Sequence, residues 1–541
     1  MATVLTSPAF SETAQGYEER HELKFATGLV TVLTMLAVAV HGYHPYAEDG
    51  GLYMAGVKHL LDPGMYPHVT EFVMGHLRFS MFAPLVAELA RGSGLSVEMV
   101  LLLVHLATFW VTLFAAWLLA ARCFAGREAR VGAVSLLAAW MTLPIAGTSL
   151  MLMDPYVTAR SISTPCVLLA LVGTLEFLLP GHALRARTGH GLALCCGALA
   201  IAALMHPLMA AYGLGCVLAL GSVVSGSRQM RVWGTVGLGA TALMVATVVY
   251  LLAPPESLAY RQVALTRYYW FLTEWHWYEC VGLIAPLVIL TVVGLGGRGF
   301  GRPTFERRGN EDAARIALAR MAVVVGLVCV AVALLFARTG SATYLVARLQ
   351  PLRVFQPVYI VMILMVGATL GEKVLRRRPA RCIVAMATLG GMMVLVERQT
   401  FPGSTHIELP RAYTSTVPLG GWQQAFVWIS QNTPKDALFA LDAHYITEPG
   451  EDAQGFRAIA ERSALPDFSK DGGEAAITPA LTAAWAVGQA VQTGLSLQPD
   501  AQRIAALKPL GVTWVVLDRG AVTGFACDFA NVMVKVCRLP R

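Results

Sequence analysis

Two neighbouring carboxylates, Glu48 and Asp49, are the strongest candidates for chemistry in this sequence. They follow Pro45, which interrupts any continuation of the preceding apolar helix. They precede Gly50-Gly51, where a backbone without side chains lets another group approach closely. The pattern predicts two carboxylates on a turn at the mouth of a membrane helix. Such a carboxylate either accepts a proton in catalysis or is a solvated turn residue at the membrane interface.

The segment around this pair, residues 41–84, is too polar to lie in lipid but contains many Tyr, Phe, Met and Leu residues. This composition predicts a loop packed against the membrane surface, where His44 and Tyr53 are candidate substrate contacts. Its histidines lack the H-E-x-x-H spacing or any comparable zinc-site spacing. We therefore favour packed or substrate-facing histidines over a zinc site.

Three further charged residues are candidates for binding a substrate. Asp154, in MLMDPYVTARS, either helps to hold a metal or a phosphate, or forms an Asp-Pro turn paired with Arg160. Arg348 and Arg353, in ARLQPLRVFQP, carry guanidinium groups that suit bidentate phosphate binding. The alternative for both arginines is snorkelling to the membrane interface.

A densely aromatic stretch, RYYWFLTEWHWYE at 267–279, offers a second kind of contact. Trp and Tyr in such a position usually form the interfacial belt of a membrane protein. The specific alternative is a groove for an isoprenoid tail or a platform on which a sugar stacks, with Trp275 and His276 as the candidates.

The composition indicates the class of protein in which these candidate residues occur. Of 541 residues, 56% are hydrophobic and 14% are charged, and the mean hydropathy is +0.58. Soluble domains have roughly a quarter charged residues, so the chain is predicted to be a multi-pass membrane protein. The net charge of +7 comes from short Lys/Arg clusters between apolar segments. Their expected partner is therefore the lipid headgroup layer and not nucleic acid.

Apolar runs near the ~20 residues needed to cross a bilayer predict about eleven transmembrane helices between residues 24 and 397. The shorter run at 79–90 is predicted to lie on the surface or to be re-entrant. The segment 1–23 lacks a signal-peptide pattern and is predicted to be a cytoplasmic tail. The predicted crossings are 24–41, 98–121, 131–150, 162–180, 190–206, 208–225, 232–253, 281–297, 316–337, 354–371 and 382–397.

Positive charge predicts the orientation of these helices. Arginine-rich loops occur around 122–130, 185–187, 228–231, 298–315 and 373–381, alternating with poorer ones. The positive-inside rule assigns the rich loops to the cytoplasm. The loops 42–97, 151–161, 254–280 and 338–353, and everything after 397, are then predicted to lie outside.

Residues 398–541 have ordinary polarity and are predicted to form an extracytoplasmic α/β domain. Helical spacing of apolar residues at 421–431, a short apolar run of strand length at 437–441 and the β-branched run VTWVVL at 512–517 support this prediction. Cys527 and Cys537 flank a short apolar run in this domain, and either form a disulfide or remain two free thiols.

Two stretches resemble bacterial membrane proteins of the GT-C glycosyltransferase superfamily, namely HPYAEDGGLYMAGVKHLLDP with GHLRFSMFAP, and WISQNTPKDALF followed by GFRAIAERSALPDFSKDGG. The overall layout also resembles this superfamily, which contains protein O-mannosyltransferases, aminoarabinose transferases and oligosaccharyltransferases. The resemblance implies a cell-envelope enzyme of the bacterial inner membrane. It would move a sugar from a polyprenyl-phosphate-linked donor to an acceptor on the outer face. It also implies that Asp49 acts at the catalytic centre, with Glu48 as a second candidate.

The first loop lacks an Asp-x-Asp triplet. This departs from the metal-dependent oligosaccharyltransferases and argues against the same metal dependence. Whether the protein uses a divalent cation stays open. Two other function classes remain open: a lipid or solute transporter, and a non-catalytic envelope scaffold. A transporter would place ionisable residues near mid-membrane, whereas the carboxylates here cluster in predicted outer loops.

Overall fold

Helices dominate the computed structural model, which describes residues 8–179, 188–224, 226–295, 307–376, 378–409 and 420–540. Parts of the predicted arginine-rich loops, at 180–187 and 296–306, lie outside the described residues. The helices before the C-terminal domain are α1 Pro8–His41, α2 Glu48–Leu61, α3 Thr70–Met74, α4 Phe82–Ser93, α5 Val97–Cys123, α6 Arg127–Ala139, α7 Ala159–Leu178, α8 Thr188–Met205, α9 Pro207–Val224, α10 Arg228–Leu252, α11 Leu258–Leu265, α12 Trp277–Leu295, α13 Arg307–Phe336, α14 Leu345–Arg348, α15 Phe355–Leu370 and α16 Pro379–Thr400.

Eight helices in the described ranges are long and apolar enough to cross a membrane, and a ninth span results if one pair bent by 100° counts as one. That pair contains α4, where the sequence predicts a surface-lying or re-entrant helix. The predicted multi-pass class is confirmed, but eleven crossings are not. The eight begin at Arg20, Val97, Ala159, Pro207, Arg228, Glu311, Leu345 and Ala380.

The predicted crossing at 131–150 differs most from the structure. Helix α6 has 13 residues and ends at Ala139. Pro144 then forms a β-bridge with Met151, and Ala146 and Ser149 have positive φ angles. Proline lacks the N–H of a helix interior, and positive φ is incompatible with a right-handed helix. The apolar run therefore continues as a buried, irregular loop. The predicted crossings at 190–206 and 281–297 correspond to shorter apolar helices.

The core of the helical bundle contains buried residues of α5, α6, α7, α13 and α15, together with residues of α1, α9 and α12. Helices α6 and α15 approach closely at Gly132, where an added Cβ would lie 2.4 Å from the carbonyl oxygen of Gly367. Helix α10, by contrast, packs loosely against the other helices, because Ala246 is its one buried residue. This helix is a peripheral element of the bundle.

The C-terminal domain contains a five-stranded sheet with the order β2-β1-β3-β5-β4. The pairs β1–β2 and β1–β3 are parallel, while β3–β5 and β4–β5 are antiparallel. Cys527 and Cys537 face each other on β4 and β5 and form a disulfide, which confirms that prediction. The elements are α17 Gly421–Asn432, β1 Leu438–Ala440, α18 Phe456–Ala460, β2 Ser463–Ala464, α19 Lys470–Ile477, α20 Thr482–Gln492, α21 Asp500–Leu507, β3 Trp514–Asp518, β4 Cys527–Ala530 and β5 Val534–Arg538.

The segment between α1 and α2 ties the bundle to the C-terminal domain. Tyr43 forms a β-bridge with Ile407, and Ala47 forms one with Gln454. Because these contacts fix the backbone before α2, the start of α2 has a defined position between the two parts of the molecule.

Candidate functional site

The first turn of α2 is packed between the loop before α7 and the C-terminal domain. A Cβ on Gly50 would lie 2.8 Å from the Cβ of Tyr156, and a Cβ on Gly51 would lie 3.0 Å from the Cα of Gly455. Only glycine permits such approaches. The two glycines therefore serve close packing on either side of the helix.

Glu48 and Asp49 are the first two residues of α2 and do not lie on a separate turn, which corrects the prediction. Glu48 has a φ of 52°, and its N–H donates to the carbonyl of Ala453 at 2.7 Å. A left-handed backbone at a non-glycine residue costs roughly 1 kcal/mol. It also changes the direction of the chain just before Asp49. The carboxylate of Asp49 benefits from the positive end of the α2 dipole.

Asp49 is in contact with a cation from each part of the molecule. Its Oδ2 is 3.7 Å from Nη1 of Arg160, the second residue of α7, and its Oδ1 is 3.5 Å from Nζ of Lys470, the first residue of α19. The Asp49 side chain is 36% exposed. It is therefore accessible to a ligand while remaining within reach of both cations.

Asp154 and Glu48 are the other carboxylates at this site. Asp154 is buried and accepts a 2.7 Å hydrogen bond from Nη2 of Arg160, the pairing that one of the two sequence alternatives proposes. Burial raises the pKa of Asp154, and the charge of Arg160 opposes that rise. Glu48 forms an ion pair with Lys470. Burial lowers the pKa of Lys470, but the charges of Glu48 and Asp49 outweigh it and leave that pKa above its ordinary value.

Arg353 is a guanidinium beside this cluster without a side-chain hydrogen bond or ion pair among the described residues. Its Nε is buried and has no hydrogen-bond partner there. It lines a small crevice together with Tyr269, Trp270, Gln350 and Thr148. A largely buried charge without a partner is unfavourable. An anion bound in this crevice would remove that penalty.

The charges determine the protonation state of Asp49. Burial alone would raise the pKa of Asp49, but the charges of Lys470, Arg160 and Arg353 outweigh it and lower the pKa to about 2. Asp49 is therefore ionised at neutral pH. The charge of Arg353 contributes less to this lowering than those of Lys470 and Arg160.

His44 lies outside the site, contrary to its predicted role as a substrate contact. It is fully buried, and its two ring nitrogens lie 2.9 Å from carboxylate oxygens of Glu397 and Glu408. Burial opposes protonation, but hydrogen bonds to both glutamates raise the pKa of His44 above its ordinary value. His406 also contacts Glu397, at 2.8 Å. This His44 cluster joins α16 to the segment that leads into the C-terminal domain.

Of two further predicted substrate contacts, Tyr53 and Arg348, one lies near the site and the other does not. Tyr53 lies close to the site, because the charges of Arg160 and Asp49 act on its hydroxyl, whose pKa is raised mainly by burial. Arg348 lies elsewhere: it is 3.9 Å from Glu256 and donates to the carbonyl of Ile477 at 3.4 Å.

Trp275 and His276, the two predicted aromatic substrate contacts, pack against other residues of the protein. Trp275 is buried against Gly147, where an added Cβ would lie 2.6 Å from the indole. His276 stacks on Tyr278 with ring centroids 5.3 Å apart. The aromatic residues that line the crevice with Arg353 are instead Tyr269 and Trp270.

The carboxylates of this site do not form a metal-ligand set. Asp49, Asp154 and Glu48 each contact an ammonium or guanidinium group. Over the described ranges, no group of three or more His, Cys, Asp or Glu residues could hold a metal ion. The groups at this site that would stabilise an anion are therefore the ammonium and guanidinium side chains.

Sequence reasoning missed two members of the site. Lys470 lies within SALPDFSKDGG, which is part of one of the stretches that resemble other membrane proteins. That resemblance was a signal in the sequence from which Lys470 could have been chosen as a candidate. Arg160 was considered as a partner of Asp154 but not of Asp49.

No family model matches the chain, and no curated protein shows significant similarity to it. Any functional conclusion therefore depends on the geometry of the site and on the resemblance of its motifs.

Proposed function

We propose that the protein is a GT-C-type membrane glycosyltransferase that moves a sugar from a polyprenyl-phosphate-linked donor to an acceptor. The observation that supports this most is the position of Asp49 between Arg160 of the bundle and Lys470 of the C-terminal domain, with Arg353 beside it. One general base and several cations are what transfer from a phosphate leaving group requires.

Asp49 is the proposed general base. The acceptor hydroxyl oxygen attacks the anomeric carbon of the donor as Asp49 takes the hydroxyl proton. The bond between that carbon and the phosphate oxygen breaks, and its electron pair leaves with the polyprenyl phosphate. The configuration at the sugar carbon is inverted, because attack and departure occur on opposite faces.

Arg353 is the proposed first contact of the donor phosphate. It has no acidic partner among the residues that the structure describes, and guanidinium groups bind phosphate oxygens in a bidentate manner. Arg160 and Lys470 are near enough to share the negative charge that develops on the leaving group. Tyr269, which lines the same crevice, supports a path for the isoprenoid tail along the aromatic segment.

Donor binding would also activate Asp49. A carboxylate with a pKa of about 2 is a weak base, since efficient general bases have pKa values near the working pH. A phosphate beside Arg353, Arg160 and Lys470 offsets the charges that lower the pKa of Asp49. The pKa therefore rises when the donor is present, and proton removal is coupled to donor binding.

The location of the site favours an enzyme over the other two classes. Asp49 lies at the start of α2 beside the C-terminal domain, not in the middle of a long apolar helix, where a transporter would place ionisable groups. A scaffold would not need an unpaired guanidinium beside an accessible carboxylate. The arginine-rich loops support an orientation with the C-terminal domain outside, and the resemblance of the two motifs implies the bacterial inner membrane.

Donor binding by two arginine variants tests this proposal. Purified protein in nanodiscs is titrated with a polyprenyl phosphate and, separately, with the matching polyprenol. We expect Arg353→Gln to weaken phosphate binding roughly 10- to 100-fold, the value of one charge-assisted hydrogen bond.

Arg348→Gln is the matched control and should bind as the wild type does, because Arg348 lies with Glu256 and Ile477. Equal affinity of the wild type for phosphate and alcohol would contradict the proposal, as would unchanged binding by Arg353→Gln.

A further inference from the structure

A groove lies between α10, α12 and α13 at the end of the bundle opposite the C-terminal domain. Its volume is about 580 Å³, within the range of ~300–1,000 Å³ typical of ligand pockets. The walls are mainly aliphatic, and three arginines line the same groove: Arg228, Arg231 and Arg320. The aliphatic residues are Val223, Val232, Val236, Leu290, Val323 and Val324.

The groove exists because α10 packs poorly against its neighbours. Ala246 is the one buried residue of this 25-residue helix, and the exposed Val232 and Val236 lie on the groove. In a bilayer, apolar surface of this kind is covered by hydrocarbon. The aliphatic walls therefore fit an acyl chain.

Two of the three arginines add positive charge that no ion pair of the described residues balances. Arg228 and Arg320 form no ion pair within the described parts of the chain. Arg231 donates to the carbonyl of Gly226 at 3.1 Å. On α13, Asp312 is paired with Arg315 at 2.7 Å and so is already engaged. Several guanidinium groups at one end of an apolar groove suit a phosphate with a net negative charge.

We propose that this groove is a binding site for an anionic diacyl phospholipid of the leaflet opposite the C-terminal domain. Its phosphate contacts Arg228, Arg231 and Arg320, and one acyl chain lies between α10 and α13. The bound lipid fills the space beside α10 and links this helix to α13. The site is separate from Asp49, so the inference does not depend on the glycosyltransferase proposal.

Lipid retention tests the inference. The full chain is purified in detergent, incubated with an anionic phospholipid or a zwitterionic phospholipid with the same acyl chains, and analysed by native mass spectrometry. We expect the wild type to retain one anionic lipid in preference to the zwitterionic one. The double variant Arg228→Gln/Arg320→Gln should bind the anionic lipid at least ~10-fold more weakly, since two charge-assisted contacts are removed.

Arg378→Gln is the matched control, because Arg378 is an exposed arginine at the same end of the bundle, just before α16. Val236→Trp tests the apolar wall without a change of charge and should also reduce retention. Equal retention of both lipids by the wild type would overturn the inference. So would an equal loss in Arg378→Gln and in the double variant, because the arginines would then interact only with the general headgroup layer.

Discussion

The chemistry at Asp49 depends on residues that are distant in sequence. The acidic pair beside two glycines was predictable, because its type and position already suggest a base at a membrane boundary. Its cations were not, since Lys470 reaches Glu48 across 422 positions of the chain. Contacts at such a separation are set by tertiary packing, which local patterns do not encode. Arg353 was predicted as a phosphate ligand, but the absence of an acidic partner for it among the described residues is visible only in the folded protein.

Asp467 leads to a prediction about pH. Burial and the neighbouring charge of Asp471 raise the pKa of Asp467 to about 7. The unfolded chain has an ordinary aspartate pKa of about 4. Between these values the folded protein binds more protons than the unfolded one, so the free energy of unfolding falls as the pH rises.

Asp467→Asn should remove this dependence, because the amide oxygen can still accept the 2.6 Å hydrogen bond from the Lys470 N–H without ionising. From pH 5 to pH 8 the wild type should lose on the order of 2 kcal/mol more stability than the variant. Denaturant unfolding of the full chain in detergent at both pH values measures this difference. Equal pH slopes would show that Asp467 does not titrate as described.

At the scale of elements, apolar length predicts the long helices well and their interruptions poorly. The crossing expected at 131–150 ends early because Pro144 and two positive φ angles follow α6. Two runs anticipated the sheet: VTWVVL, which contains β3, and the short apolar run at 437–441, which contains β1. Strand β2 has two residues, too few to show a period. The His44 cluster was missed because its glutamates come from other elements.

The His44 cluster gives a prediction about the link between α16 and the C-terminal domain. His44→Gln leaves Glu397 and Glu408 buried without the imidazole ring that lies within hydrogen-bond distance of both. Leaving a buried hydrogen-bonding group without its partner typically costs about 1–3 kcal/mol, and more for a charged group, so the melting temperature should fall clearly. Thermal unfolding in detergent provides the measurement.

Adding Glu408→Gln to His44→Gln should recover much of the loss, because Glu397 keeps His406 as a partner, whereas the carboxylate of Glu408 loses its histidine and is then replaced by a neutral amide. Gln423 can still hydrogen bond to the neutral side chain at that position, where it now lies 3.2 Å from Glu408. A double variant that is as unstable as the two single effects added together would show that the charges are not coupled.

At the scale of the whole molecule, composition predicts a multi-pass membrane protein with a more polar C-terminal region, and the structure has long apolar helices followed by a small C-terminal sheet. The number of spans was harder to predict, because hydropathy does not distinguish a lipid-facing helix from a buried apolar loop. The arginine-rich loops predict the orientation of the helices. Reporter fusions at Gly126 and Arg378 should therefore report the cytoplasm, while those at Gly340 and Gly520 report the outside.

These four positions lie in turns or at helix ends, so an inserted reporter should not disrupt a helix. The outcome that matters most is the one at Gly520, which lies in the C-terminal domain. A cytoplasmic signal there would place Asp49 on the cytoplasmic side and contradict an outward-facing site.

The most direct measurement is sugar transfer by Asp49→Asn, using purified protein in nanodiscs and a labelled lipid-linked sugar. Transfer should fall by a factor on the order of 10² or more, because asparagine cannot accept the proton. The melting temperature should change little, since a partly exposed ion pair contributes about 0–1 kcal/mol. Asp62→Asn is the matched control and should retain activity, because Asp62 is an exposed carboxylate at the other end of α2. Glu48→Gln and Asp154→Asn show whether the effect is specific to Asp49. Full transfer by Asp49→Asn at equal amounts of folded protein would contradict the account.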